Sequence, residues 1–284
     1  MILSTQTDNT AKRYGLVKAV DVLADAGFDA IDISMFPGES TAEIFGDNYL
    51  KLAEKMNERA KARGIFFNQA HAPFPTVRPN DPEYTEDTRK KVIRAIEFAG
   101  LCGVKNIIIH PVVFPQNLKE ENMKMYRYFE PFAEKAGVKI ALENMWGRDG
   151  KRGYIVPNVC SLGAELADYY DTLNSENFNV CLDIGHCGLV GEDPADAIRA
   201  LGAERLGCLH VHDNNYREDS HEIPFSMHQD WKAITAALGE IGYRGDFTFE
   251  ADNFLAGIPD GFFPTALKYL HDTGRYLIKM IGLE

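Results

Sequence analysis

The sequence lacks long uninterrupted apolar segments and paired cysteines. None of its apolar runs approaches the roughly 18 residues that a membrane-spanning helix needs, and Met1–Thr10 lacks the basic start and apolar stretch of a secretory signal. Its five cysteines form no Cys-x-x-Cys pair, which is typical of reduced thiols that fill a core. These absences predict a cytoplasmic protein without a membrane partner.

An excess of positive charge is also absent. The chain of 284 residues has 42 acidic residues against 30 Lys and Arg, which gives a net charge of −12. Nucleic-acid affinity comes largely from Lys and Arg that neutralise phosphates. The charge balance therefore predicts no nucleic-acid partner, and the short basic run Arg89-Lys90-Lys91 is typical of a solvated helix face.

One pattern repeats along the whole chain. A short apolar run is followed by a polar loop and by an amphipathic helix that often ends near a glycine. Eight such units predict parallel strands joined by crossover helices. The predicted strands are Ile2–Thr5, Ala30–Phe36, Ile65–Ala70, Asn106–Ile109, Lys139–Leu142, Asn179–Leu182, Leu206–Leu209 and Phe247–Phe249. The predicted helices are Leu16–Ala26, Asn48–Arg63, Thr85–Cys102, Leu118–Ala136, Leu162–Leu173, Pro194–Leu201, Trp231–Ile241 and Pro264–Met280.

Eight units that close on themselves predict an α/β fold of the (β/α)8 TIM barrel type, with residues 1–284 as a single domain. An open doubly wound sheet is the alternative, and it normally carries a glycine-rich phosphate loop after its first strand. Gln6-Thr7-Asp8-Asn9 stands there instead, which favours the barrel. The longest irregular segments, Ala72–Pro82 and Met145–Cys160, both follow strands, where barrel enzymes hold their active sites.

Three carboxylates and one histidine stand at the ends of the last four strands. They are Glu143, Asp183, His210 and Glu250. Strand ends converge in a closed barrel, so the three acids would repel one another unless a cation lay between them. With His210 as the fourth ligand, they predict a divalent metal site. Mn²⁺, Zn²⁺, Co²⁺ and Mg²⁺ all accept such mixed ligands to some degree.

Other polar residues follow the same strands. Cys208–His221 alone contains three imidazoles and three carboxylates, a density typical of metal ligands. His110, Asp219 and His221 are candidates for an additional metal, although a single strand-end histidine such as His71 or His110 also suits a hydrogen-bonded core. Candidate sugar contacts, each with a loop-packing or surface alternative, are His212, His228, Trp146, Arg148 and Arg217.

Several short motifs resemble the xylose isomerase-like barrel superfamily, in its branch of sugar phosphate isomerases and epimerases. This branch is also labelled endonuclease IV-like or AP endonuclease family 2. The resemblance covers essentially the whole chain. It is carried by Ala-His-Ala-Pro at 70–73, Leu-Glu-Asn at 142–144, Leu-Asp-Ile-Gly-His at 182–186, His-Val-His-Asp-Asn at 210–214, Asp-Ser-His at 219–221 and Phe-Glu at 249–250.

The resemblance implies specific roles for these residues. In ketose 3-epimerases of this superfamily, one metal is held by Glu, Asp, His and Glu, which match Glu143, Asp183, His210 and Glu250. It further implies that the two glutamates shuttle protons on opposite faces of the substrate, and that His186 binds substrate. Endonuclease IV holds three zinc ions with additional ligands, which would correspond here to His71, His110, His186, Asp219 and His221.

The expected function is therefore a metal-dependent isomerase or epimerase of a small carbohydrate or sugar phosphate. Glu143 and Glu250 would move the proton through an enediolate, while His71, His186, His212, Trp146 and Arg217 contact the substrate. The alternatives are an endonuclease IV-like zinc phosphodiesterase at abasic DNA, a sugar lyase or dehydratase, and a sugar-binding barrel without catalysis. Phe262 and Phe263 suit either a homodimer interface or the core.

Overall fold

Eight parallel strands form a closed barrel in the computed structural model, which describes residues 1–283. The order of the strands around the barrel is β1-β10-β9-β8-β5-β4-β3-β2. The predicted TIM barrel is thus confirmed, and each predicted strand is found to within two residues at either end. The barrel strands are β1 (Ile2–Gln6), β2 (Ala30–Ser34), β3 (Phe66–His71), β4 (Asn106–Ile108), β5 (Lys139–Glu143), β8 (Phe178–Asp183), β9 (Leu206–Val211) and β10 (Asp246–Phe249).

Helices separate the strands, and all eight predicted helices are present. Within residues 1–283, four further α-helices of four to seven residues were not predicted, because one or two turns show too little apolar periodicity. The helices are α1 (Asp8–Tyr14), α2 (Leu16–Ala26), α3 (Ala42–Phe45), α4 (Tyr49–Arg63), α5 (Pro82–Leu101), α6 (Leu118–Ala136), α7 (Gly163–Leu173), α8 (Ile184–Val190), α9 (Pro194–Arg205), α10 (Trp231–Glu240), α11 (Asp252–Ala256) and α12 (Phe263–Ile281).

The helix boundaries follow from local chemistry. The Asp193 carboxylate accepts the backbone N–H of Ala195, and Pro194 occupies the first turn, so α9 begins there. Gly202 has a φ of 67°, which interrupts α9 one residue after the predicted end at Leu201. Gly27, in the left-handed αL conformation, ends α2.

The chain divides into two compact units by its internal contacts. The first unit consists of residues 1–5, 143–172 and 180–284. In it β1 pairs with β10, and Ser4 Oγ lies 2.8 Å from Thr248 Oγ1. A β-carbon added to Gly274 would lie 2.6 Å from Leu3 and 2.7 Å from Phe249. The missing side chain therefore lets α12 pack closely against these two strands.

The second unit consists of residues 6–142 and 173–179. Strands β2, β3 and β4 pair in sequence order, with Ala70 opposite Ile107. A β-carbon on Gly100 would lie 2.6 Å from the carbonyl oxygen of Ala136, so α5 and α6 approach closely at this point. Buried Phe98 and other apolar side chains fill the space beneath these helices.

The structure corrects the prediction for the segment Met145–Cys160 and separates the surroundings of Phe262 and Phe263. The segment Met145–Cys160, predicted to be irregular, contains an antiparallel hairpin of β6 (Trp146–Arg148) and β7 (Ile155–Pro157). Strands of three residues are too short to show an alternating pattern. Phe263 is buried whereas Phe262 is 56% exposed, so only the second of these is at the surface. Within residues 1–283, no helix is long and apolar enough to cross a membrane.

Candidate metal centre

Four buried ligand-type residues meet in the first unit. Glu143 ends β5, Asp183 ends β8, His210 lies in β9, and Glu250 directly follows β10. One donor atom from each lies within 4.8 Å of the donor atoms of the other three. We call these residues the four-ligand cluster. The strand register explains part of the proximity, because Asp183 pairs with His210 and His210 pairs with Thr248.

His210 stands between the two glutamates. Its Nδ1 lies 2.7 Å from Glu143 Oε1 and 2.9 Å from Glu250 Oε2. Burial of the ring lowers the pKa of His210, but the charges of Glu143 and Glu250 raise it more. The pKa therefore lies well above the ordinary value of a histidine. A bound cation would take the place of that proton among the carboxylates.

Asp183 presents one carboxylate oxygen to protein groups and leaves the other without a hydrogen bond. Its Oδ1 accepts the backbone N–H of His186 at 2.7 Å and lies 3.1 Å from His212 Nε2. Its Oδ2 is buried and accepts no hydrogen bond from the residues the structure describes. A buried carboxylate oxygen is costly without a partner. Three carboxylates and one imidazole fit a divalent cation, which would supply that partner.

A second group, the histidine cluster, contains His186, His212, Asp219 and His221. Their donor atoms also lie within 4.8 Å of one another. The Asp219 carboxylate is central: its Oδ2 lies 3.1 Å from His221 Nε2 and 3.4 Å from His186 Nε2. The rings of His212 and His221 stack at 4.2 Å between centroids.

The charges in the histidine cluster stabilise one another. Burial raises the pKa of Asp219, but His186 and His221 lower it more, so the carboxyl is ionised. Burial lowers the pKa of His221, but its hydrogen bond to Asp219 and the charge of Glu250 raise it to about 10. His221 Nδ1 also lies 2.9 Å from the backbone oxygen of Glu250, so it is the proton donor there.

Backbone pairing and one carboxylate hold the loop that carries Asp219 and His221. Asp213 and Glu222 exchange backbone hydrogen bonds across its base at 2.8 and 3.1 Å. The Asp213 carboxylate accepts hydrogen bonds from the backbone of Gln229 and from Trp231 Nε1. Asp213, one of the acids in the ligand-rich stretch, therefore anchors the loop.

The predicted sugar contacts in the hairpin and the loop differ in their contacts and exposure. Trp146 Nε1 donates to Asp219 Oδ2 at 3.0 Å, so the indole lies against the histidine cluster. The guanidinium of Arg148 lies 5.5 Å from the centre of the Trp146 ring. Arg217 and His228 are exposed.

His71 and His110 belong to the second unit. Nδ1 of His71 lies 3.0 Å from a carboxylate oxygen of Asp32, and its Nε2 lies 3.3 Å from Gln6 Nε2. The centroids of the His71 and His110 rings are 6.0 Å apart. Sequence reasoning missed Asp32, although a charged residue inside the apolar strand Ala-Ile-Asp-Ile-Ser was a usable signal.

His186 lies in a short helix that the sequence pattern does not predict. Asp183 is the N-cap of α8, and His186 occupies the first turn of that helix. The strand stops because the Asp183 carboxylate binds the backbone N–H of His186 and starts the helix. An Asp cap can be recognised in a sequence, but α8 has only seven residues, which is too short for its apolar pattern to predict a helix.

Comparison with known proteins assigns the chain to a family. Residues 20–270 match the family of xylose isomerase-like TIM barrels, and the chain belongs to it. An L-ribulose 3-epimerase from Methylomonas sp. (strain DH-1) is 26% identical over 247 residues, which cover 84% of this chain and 78% of the relative.

Solved structures share the same fold. A D-tagatose 3-epimerase-like protein has a TM-score of 0.78 at 19% identity, covering 99% of this chain and 98% of the other. The IolI protein, solved with a bound zinc atom, has a TM-score of 0.72 at 20% identity and the same coverage values.

Proposed function

We propose that the protein is a divalent-metal-dependent sugar epimerase or isomerase. The observation that carries this proposal is the position of Glu143 and Glu250, which both lie within 2.9 Å of one nitrogen of His210 in a common donor set with Asp183. The relatives named for epimerisation of L-ribulose and D-tagatose support a small open-chain ketose as substrate.

The four-ligand cluster would hold the catalytic cation. Mn²⁺, Co²⁺, Zn²⁺ and Mg²⁺ all suit its ligand set to differing degrees. When bound, such an ion supplies Lewis-acid stabilisation of negative charge that develops on substrate oxygens. The zinc atom bound by the IolI protein, which has the same fold, supports a metal ion in this protein.

Glu143 and Glu250 would carry the proton transfer. One carboxylate removes the proton from the carbon beside the carbonyl, and the other returns a proton to the opposite face of that carbon. Glu143 is 1% and Glu250 8% exposed, so neither is freely hydrated. A poorly hydrated carboxylate is a stronger base toward a carbon acid than one in water.

The remaining site residues would orient the sugar or hold a second ion. His186, His212 and Trp146 lie around Asp219 and can bind hydroxyl groups, and Arg217 on the loop is a further proposed contact. His71 stays a predicted substrate contact. The histidine cluster can also hold a second ion through Asp219 and His221, because it presents carboxylate and imidazole atoms together. His110 stays a predicted additional ligand.

Hydrogen exchange tests the proposed reaction directly. The metal-free protein, reloaded in turn with Mn²⁺, Co²⁺, Zn²⁺ or Mg²⁺, is incubated with L-ribulose, D-tagatose or D-psicose in D2O. We expect a C3 epimer that carries deuterium at C3, detected by chromatography and NMR. Absence of both new ketose and deuterium with all metals would contradict the proposed proton transfer.

Glu143→Gln and Glu250→Gln test the two bases. Each is expected to lower kcat by about 10²–10⁴-fold at saturating metal, the usual range for loss of a general acid or base. Glu130→Gln is a matched control, because Glu130 is a partly buried glutamate that binds Ser175 and Arg127 in the second unit. Wild-type kcat in either test variant would refute its assigned role.

A further inference from the structure

Asn144 makes an unusual set of contacts beside the four-ligand cluster. It directly follows Glu143 and its side chain is fully buried. Oδ1 accepts the backbone N–H of Asp183 at 2.7 Å, and Nδ2 donates to the backbone oxygen of Asp183 at 2.9 Å. One side-chain amide therefore binds both backbone polar groups of a residue 39 positions further along the chain.

The backbone of Asn144 holds a second site residue. Its carbonyl oxygen lies 2.7 Å from His186 Nδ1. A carbonyl can only accept, so Nδ1 carries a proton, and this bond orients the ring. His186 Nε2 then faces Asp219, whose Oδ2 lies 3.4 Å away.

The two contacts converge on one turn of the chain. Asp183 and His186 are joined by the hydrogen bond that starts α8, from the His186 N–H to Asp183 Oδ1. That bond occupies one carboxylate oxygen and leaves Oδ2 directed elsewhere. A rotation of the Asp183 backbone would move both the carboxylate and the helix start that carries His186.

We propose that Asn144 is a positioning residue that sets the Asp183 carboxylate and the His186 ring for cation and sugar binding, a role that rests on the proposed function. Groups that orient metal ligands typically change metal affinity by 10–100-fold when they are removed. Asn144 does so through the main chain of its ligand, because its two shorter side-chain bonds go to the Asp183 backbone. A third, longer contact joins its Nδ2 to Cys187 Sγ at 3.5 Å.

The matched control is Asn122, which makes the same pair of bonds in the second unit. Asn122 Oδ1 accepts from the backbone N–H of Val112, and its Nδ2 donates to the Val112 oxygen, both at 2.8 Å. Asn122 is also fully buried. Asn122→Ala therefore removes an equivalent amide and its bonds without touching the Asp183 turn.

Co²⁺ titration of the metal-free full-length protein tests the role. We expect Asn144→Ala to weaken Co²⁺ binding by about 10–100-fold and to change the visible absorption of the bound ion. Asn122→Ala is expected to lower the unfolding temperature but to keep both the affinity and the spectrum. In hydrogen exchange, the Asp183 amide proton should exchange faster in Asn144→Ala alone.

Asn144→Asp and Asn144→Ser provide further tests if Asn144→Ala does not fold. Asp keeps the acceptor for the Asp183 N–H but places an oxygen against the Asp183 carbonyl, so its Co²⁺ affinity should also fall. Wild-type affinity and spectrum in any folded Asn144 variant would overturn the proposal. If the wild-type protein itself binds no cation, the proposed function fails. Unchanged exchange of the Asp183 amide would then separately overturn the positioning role.

Discussion

The Asp183 side chain caps α8 and contacts His212, and its second, buried oxygen would bind the proposed cation. Without a cation, its charge lies close to those of Glu143 and Glu250. Like charges in a buried site oppose folding. If the proposed cation binds here, these residues favour binding at the expense of the stability of the metal-free protein.

Asp183→Asn separates these tasks. Asparagine keeps an oxygen that can accept the His186 N–H but removes the charge. We expect Co²⁺ affinity to fall by at least 100-fold, while the unfolding temperature of the metal-free protein stays equal or rises because carboxylate repulsion is relieved. Titration calorimetry and thermal unfolding in EDTA check both effects. Unchanged Co²⁺ affinity would exclude Asp183 as a ligand.

Residue type at strand ends predicted which side chains meet in the first unit, because carboxylates after apolar strands have few structural explanations. The role of Asn144 could not be predicted in this way, and the sequence signals that Asp32 is unusual without showing which residue it contacts. The role of a buried amide or carboxylate depends on the atoms that it contacts, and here those atoms belong to residues distant in the sequence. Likewise, the position of His186 in α8 depends on the cap that Asp183 provides.

At the scale of elements, the first turn of α8 is closely packed against the histidine cluster. A β-carbon added to Gly185 would lie 2.0 Å from His212 Cε1. Asn214 Nδ2 donates to the Gly185 oxygen at 2.8 Å, so this turn cannot easily move away. The lack of a side chain at Gly185 thus places His212 against α8.

Gly185→Ala is expected to displace the His212 ring. Because His212 contacts Asp183 and stacks on His221, kcat/KM should fall by at least tenfold while the far-UV circular dichroism stays unchanged. Gly150→Ala is the control, since a β-carbon there meets nothing within 4 Å and its φ is not positive. Equal activity of the two variants would show that His212 has no role in turnover.

Helices α2 and α4 are joined by an ion pair that makes stability depend on pH. Arg59 Nε lies 2.6 Å from Asp21 Oδ1, and Lys18 and Arg63 are also near this buried carboxylate. The hydrogen bond from Arg59 lowers the pKa of Asp21. Its stabilisation is therefore complete above the unfolded pKa of about 3.9 and is lost as the pH falls through the lower, folded value.

Asp21→Asn should remove this acid-sensitive contribution. We expect a loss of about 1–3 kcal/mol in unfolding free energy at pH 7 and a smaller difference from wild type at pH 3 and below. Urea unfolding at several pH values measures both quantities. A constant difference over the whole pH range would show that the charge of Asp21 contributes nothing.

For the whole molecule, a cation that binds only the folded state must raise its stability. The gain is RT ln(1 + [L]/Kd), about 2.7 kcal/mol at a concentration of 100 Kd. The unfolding temperature should rise with Mn²⁺ or Co²⁺ in a saturable manner, return to its starting value in EDTA, and respond weakly in Asp183→Asn. A rise of equal size in that variant would place the stabilising ion elsewhere.

The repeating pattern made the barrel predictable, because a strand and a helix recur eight times with clear stop signals. The hairpin Trp146–Pro157 and the four short helices escaped prediction because few residues define them.

Net charge is a property of the whole chain as well. At −12, we expect no cleavage of an abasic DNA duplex, which a gel assay with Zn²⁺-loaded protein checks.

The pairing of β1 with β10 sets a condition on biosynthesis. Ile2 lies opposite Asp246, so the first strand emerges from the ribosome long before its partner exists. At about 5–20 residues per second, translation of the intervening chain takes roughly 10–50 seconds. During that interval the nascent strand has one edge without its final neighbour, so the ring can close only after β10 has been synthesised.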